Sequence, residues 1–169
     1  DSALPDIHVN SYIRAPITVG KNVDKTDGEH IGKGLISTLL PYKITDGYNR
    51  KRSIKGIKSV VLENDYLKAV FLPELGGRLW SLVDKKTGKE LLYKNDGFQP
   101  CNLALRNAWF SGGVEWNVGI KGHNPLTCSN LFAQKLISTN GDEILRMYEY
   151  ESKREDVYII DETLRDDAL

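Results

Sequence analysis

From residue 57 onward, apolar and polar positions alternate in short runs separated by turn formers. The run "IKSVVLEN" reads as a strand, Asn64-Asp65 supplies turn chemistry, and "LKAVFLP" returns as the next strand. Pro73 ends that strand because it has no N–H to give to a ladder. "GGRLWSLVD" follows, and period-2 alternation sets Leu79, Ser81 and Val83 on one face and Trp80 and Leu82 on the other. "KKTGKE" is a tight turn with Gly88 placed for positive φ, and "LLYK" is expected to return as a further strand. Downstream, "LFAQKLIST" pairs with "EILRMYEYES" through the turn "NGD", and "DVYIIDETLR" alternates as a third strand. Short alternating runs with no helix of three turns predict an all-β antiparallel meander.

Two stretches break this pattern. The first fifty residues are polar and rich in turn formers, with "GKNVDKTDGEHIGKG" as the clearest loop and "HVNSYI" and "LISTLLPY" as short β-type runs. They predict an N-terminal arm with first strands over residues 1–56, leaving 57–169 as the sandwich proper. Residues 95–130 carry no clean period, yet they are dense in glycine, asparagine, proline and aromatics. A long irregular stretch inside a compact domain is usually functional, and its two tryptophans argue against disorder.

Composition then removes function classes. The 169 residues carry 23 basic and 23 acidic side chains, a formal net charge of zero. Such a balance argues against a nucleic-acid binder and against a polybasic membrane-surface protein. No apolar run approaches the roughly 20 residues of a spanning helix. The first residues show no signal peptide, although a signal already removed would look the same, and the compartment stays open. Two cysteines, Cys101 and Cys128, are too few for a disulfide framework. They read as two buried thiols, or as a single disulfide in an exported protein. Their spacing is no zinc pattern, and no metal is expected.

The segment "LENDYLKAVFLPELGGRLWSLVDKKTGKELLY" resembles the opening of galactose-mutarotase-like (aldose-epimerase-like) β-sandwiches, with their proline-ended strand, Gly-Gly-Arg corner and Asp-Lys-x-Thr-Gly-x-Glu turn. The continuation "RNAWFSGGVEWNVGIKGHNP" is similar to an uncharacterised bacterial domain of that superfamily, often found ahead of tetratricopeptide repeats. The resemblance implies a supersandwich of two antiparallel sheets with a sugar in its concave face. It further implies that this chain is the N-terminal part, to be completed by a C-terminal half or a partner chain. Mutarotases use a histidine as general acid and a glutamate from the later half as general base, and that glutamate has no match here. An arginine at their Gly-Gly corner contacts sugar hydroxyls, a role the resemblance carries to Arg78.

A sugar site needs aromatic faces against the C–H face of the ring and planar polar groups for its hydroxyls. Residues 106–124 offer both in Arg106, Asn107, Trp109, Glu115, Trp116, Asn117, His123 and Asn124, and Gly112-Gly113 allows close backbone approach. Histidine is the residue type whose ordinary charge change falls near neutrality, so His123 is the candidate acid or hydroxyl contact, unless it is a structural loop histidine. Glu115 is the candidate acid or base in an apolar pocket, unless it pairs with Arg106 or Arg78. Trp109 and Trp116 could equally be core residues. Glu74, Asp84 and Asp96 lie in turns and make poor second carboxylates; His8 and His30 are expected to be solvated. The run 151–156 reads as a solvated strand end or hairpin. Three functions compete: a non-catalytic carbohydrate-binding module, a sugar-active enzyme (epimerase-like or glycoside-hydrolase-related), and a scaffold orienting neighbouring repeats. None of them calls for an organic cofactor.

Overall fold

The structure, a computed structural model, describes residues 3–7, 18–33, 48–94, 97–100, 109–117, 123–152 and 155–166. Within them the protein is an antiparallel β-sandwich. Strands β1 (Ala3–Ile7) and β2 (Tyr48–Ile54) pair with each other as a separate ribbon. One main sheet runs β3 (Val60–Glu63), β4 (Leu67–Leu72), β5 (Arg78–Asp84) and β6 (Lys89–Glu90) in that order. The other runs β7 (Phe132–Ile137), β8 (Glu143–Glu151) and β9 (Asp156–Glu162).

The predicted hairpins form. Asn64 closes the first, its side-chain oxygen accepting from the N–H groups of Tyr66 and Leu67. Gly88 adopts φ 69° in the β5–β6 turn, and Gly141 φ 90° in the β7–β8 turn. The first loop differs from expectation. It contains a six-residue helix, α1 (Lys25–His30), nucleated where the Asp24 carboxylate accepts from the Thr26 N–H. His30 on this helix is exposed. His8 and the runs 8–13 and 35–42 lie outside the described residues, apart from their flanking strands.

Two further expectations are corrected. Val70 pairs with Ser81 and Phe71 with Leu79, so Trp80 is the extra residue of a β-bulge. The bulge shifts the alternation by one, and Leu79 and Leu82 pack against the same hydrophobic cluster while Trp80 joins another. The return strand β6 ends at Glu90 instead of running through 91–94. One backbone bond continues past it, Leu91 N–H to Leu82 O at 2.7 Å, and beyond that the Glu90 carboxylate accepts from the Leu82 and Leu92 N–H groups and the Ser81 hydroxyl and pairs with Lys94.

The main core lies between the sheets. Ala69 and Phe71 of β4 meet Leu145 and Met147 of β8 and Tyr158 and Ile160 of β9, with Leu126 and Leu131 closing one end. A second cluster of Leu72, Leu75, Phe98 and Phe110 lies beneath the β4–β5 corner, with Trp80 and Cys128 packed on it. Cys128 is thus half-buried; Cys101 lies outside the described residues.

Candidate functional site

The corner between β4 and β5 builds the site. Pro73–Leu75 form a 3-10 turn, and Gly76 and Gly77 follow at φ 69° and 70°. A side chain at Gly76 would fall 2.8 Å from the Leu126 carbonyl oxygen and the Thr127 Cα. Glycine there lets the corner lie directly on the 126–131 segment, sealed by Gly76 N–H to Ser129 O and Leu131 N–H to Pro73 O, each 2.9 Å. Arg78 follows immediately, so its direction is set by this backbone.

The irregular loop is pinned to the same corner. Val114 and Leu79 exchange both backbone hydrogen bonds, at 2.9 and 3.1 Å. Gly112 and Gly113 take φ 113° and 68°, and a Cβ on Gly113 would collide with the Leu79 carbonyl. The Trp116 indole N–H donates to Gly77 O at 2.8 Å. These contacts fix Glu115 between Val114 and Trp116, beside Arg78.

Arg78 is 2% exposed. One guanidinium nitrogen, Nη1, donates to Phe110 O (3.3 Å) and Gly112 O (2.5 Å). The other, Nη2, donates to Glu115 Oε2 (3.4 Å) and Thr127 Oγ1 (3.2 Å), and the plane sits 3.7 Å from the centre of the Phe110 ring. Burial pulls its pKa below the ordinary arginine value, with the Glu115 carboxylate and then Cys128 opposing. The Thr127 hydroxyl also donates to Glu115 Oε2 at 3.4 Å. The second carboxylate oxygen, Oε1, lies 3.6 Å from His123 Nδ1. Side-chain exposure climbs outward along this row, from 2% at Arg78 to 20% at Glu115 and 50% at His123. His123 itself holds φ 44°, a left-handed conformation uncommon for a side chain of its size. A buried cation, a carboxylate in the middle and an imidazole at the surface form a polar relay opening to solvent.

The candidate residues separate on this geometry. Arg78, Glu115 and His123 are brought together. Trp109, in the same stretch of sequence, is 44% exposed as a residue, and Asn117 is exposed. Trp116 is half-buried, its ring against the inter-sheet core. Asn124 is 3% exposed, its oxygen accepting from the Leu126 N–H at 2.9 Å. Nearby, burial pushes the Tyr158 phenol up to about 12, with Asn124 opposing the rise and Glu162 adding to it. Arg106 and Asn107 lie outside the described residues. Thr127 was not singled out from the sequence. An isolated threonine carries no pattern, and only the Gly76 corner brings it to Arg78. Among the described residues no three His, Cys, Asp or Glu side chains gather as a metal site, and no helix is long and apolar enough to cross a membrane.

Fold and site together define an antiparallel β-sandwich with a polar relay at one sheet corner. Residues 35–167 match the family model described as "Domain of unknown function (DUF5107)", and the chain belongs to that family. Among solved structures it is similar to a crystal structure of a TPR-domain containing protein from Parabacteroides distasonis ATCC 8503. The TM-score is 0.61 at 24% identity over 76% of this chain. The match spans 22% of that protein's length.

Proposed function

We propose that residues 109–117 and 123–124 contribute a carbohydrate-binding site. The observation that carries the reading is an exposed tryptophan, Trp109, close in sequence to the glycine pair and to the Glu115–His123 pair, whose imidazole is half exposed. An open aromatic face suits the C–H face of a pyranose, and the pair and Asn117 suit its hydroxyls. In this reading Trp109 stacks on the sugar, while Trp116 and Arg78 shape the site from within. The domain is then the N-terminal part of a galactose-mutarotase-like sandwich within a longer polypeptide, with tetratricopeptide repeats as the neighbouring partner. The 22% share of the matched protein and that protein's description support this partner.

A second reading, a sugar-active enzyme of the epimerase type, is favoured by one feature: a carboxylate 3.6 Å from an imidazole at the site surface. Calorimetry of a domain-containing chain against a broad panel of mono- and oligosaccharides tests both. Trp109→Ala is expected to weaken binding roughly fivefold, about 1 kcal/mol of stacking. His123→Asn is expected to weaken binding only in part, since the amide can still meet a hydroxyl, and to abolish any anomer interconversion, because asparagine cannot cycle a proton. A wild-type chain that binds no sugar on the panel overturns the proposal.

A further inference from the structure

We propose that Glu115 is a positioning residue that fixes His123 as the Nδ1–H tautomer, leaving Nε2 as the ring atom that accepts a hydrogen bond from a ligand hydroxyl. The ligand part rests on the carbohydrate reading above; the orienting part does not.

The argument starts from the two faces of one carboxylate. Oε2 is held from the interior by Arg78 Nη2 at 3.4 Å and by the Thr127 hydroxyl at 3.4 Å. Oε1 is the oxygen toward His123, 3.6 Å from Nδ1. That separation is longer than a hydrogen bond, so the carboxylate acts on the neutral ring through its charge, which favours the tautomer that turns an N–H toward it. A carboxylate is an acceptor, and it therefore calls for a proton on the ring nitrogen that faces it. In neutral histidine a proton on one ring nitrogen leaves the other as the acceptor, so the neighbour of one decides the role of both. The proton goes to Nδ1, and Nε2 keeps its lone pair.

Three observations keep Glu115 from exchanging roles with His123. Its carboxylate is 20% exposed against 50% for the imidazole, so the imidazole stands nearer the solvent. Its charge opposes the cost of burying Arg78, a guanidinium only 2% exposed. Its backbone is locked, because Val114 bridges Leu79 on one side and the Trp116 indole donates to Gly77 O on the other. His123, by contrast, is held at φ 44°, a conformation that has to be maintained by its surroundings. Arg78, 2% exposed, then stands behind Glu115, Thr127 and the carbonyls of Phe110 and Gly112.

The test is nitrogen-15 NMR of the imidazoles in the full chain, at a pH where they are neutral. The His123 signals are assigned by their loss in His123→Gln. Unconstrained imidazole favours the Nε2–H tautomer, so the expected Nδ1–H pattern at His123 is a signature that general stability does not produce. Glu115→Ala is expected to return His123 to the Nε2–H pattern while the amide signals of β7–β9 persist. An Nε2–H tautomer in the wild-type chain overturns the proposal, and so does a folded Glu115→Ala chain with the tautomer unchanged. The first measurement needs no substitution, so a variant that fails to fold does not remove the test. Sugar binding is read separately by calorimetry. An Nδ1–H tautomer without sugar binding supports the orienting role and sinks the carbohydrate reading. Sugar binding with an Nε2–H tautomer does the reverse.

Discussion

Glycine positions with similar dihedrals do different work in this molecule, and their neighbours decide which. Gly88 and Gly113 have φ of 69° and 68°. Nothing lies within 4 Å of a Cβ built on Gly88, whereas one on Gly113 strikes the Leu79 carbonyl. Gly88→Ala is therefore expected to cost about 1 kcal/mol, the left-handed penalty alone. Gly113→Ala is expected to cost more, about 2–3 kcal/mol, because the Val114–Leu79 bridge must open as well. Urea midpoints of the two variants check this; equal losses would show that the loop is not pressed on β5. Glu90 illustrates a different balance. Burial would raise its pKa, but the Lys94 ammonium, the Ser81 hydroxyl and the Leu82 and Leu92 N–H groups outweigh that and hold it at about 2, against 4.5 for the ordinary side chain. A depressed carboxyl stabilises the fold above its unfolded value. That contribution is complete above pH 4.5 and is lost as pH falls toward 2. Glu90→Gln is expected to lower stability at neutral pH and to flatten the acid limb of a stability–pH curve over that window. Superimposable acid limbs would mean that the network contributes nothing.

At the scale of elements, alternation in β9 separates a packed face from an open one. Tyr158 and Ile160 are 6% and 8% exposed, while Val157 and Ile159 are 55% and 49% exposed. Across the sheet Ile159 pairs with Tyr148, which pairs with Phe132, giving an apolar row on the outer face. Ile160→Ala is expected to cost about 2–4 kcal/mol and Ile159→Ala less than about 1, read from denaturation midpoints. The alternation of β9 was legible in the sequence, as were β3, β4, β7 and β8, because each pairs with its chain neighbour through a short turn. The bulge at Trp80 was not, since "RLWSLVD" alternates as well as any strand and only its pairing with β4 exposes the extra residue. The end of β6 was hidden for a related reason: Leu91 and Leu92 are as apolar as strand residues, but after the Leu91–Leu82 backbone bond the Glu90 side chain takes the N–H groups of Leu82 and Leu92. The candidate site was legible as a density of aromatics, glycines and polar groups. Its internal order was not. The Arg78–Glu115 pair spans 37 residues of sequence, and nothing local in either segment selects one partner over Arg106.

For the whole molecule, the question is whether the sandwich and the site behave as one unit. The β4–β5 corner belongs to both clusters. Leu72 and Leu75 enter the one beneath the site, and Leu79 packs against the one between the sheets. Gly77 lies where a Cβ would touch Leu131 and Ile160 at 3.0 Å and Met147 at 3.1 Å, so the corner backbone is itself part of the inter-sheet packing. Arg78 extends the link by lying against Phe110, one ring of the second cluster. Melting the loop would strand a buried guanidinium, and opening the sheets would remove the floor on which the loop rests. Both losses are large on the scale of a domain's net stability, which couples the two regions. The tryptophans report on each region separately, Trp80 with the lower cluster and Trp116 with the main core. A chain carrying Trp109→Phe and Trp116→Phe emits from Trp80, and one carrying Trp80→Phe and Trp109→Phe emits from Trp116. In each chain the urea transition by fluorescence is expected to coincide with the transition of the β-sheet circular dichroism signal, as a single cooperative unit requires. Comparing the two signals within each chain cancels the stability that the substitutions themselves remove. A Trp80 transition preceding the loss of sheet signal would show that the site melts independently and that the corner does not bind it to the sandwich.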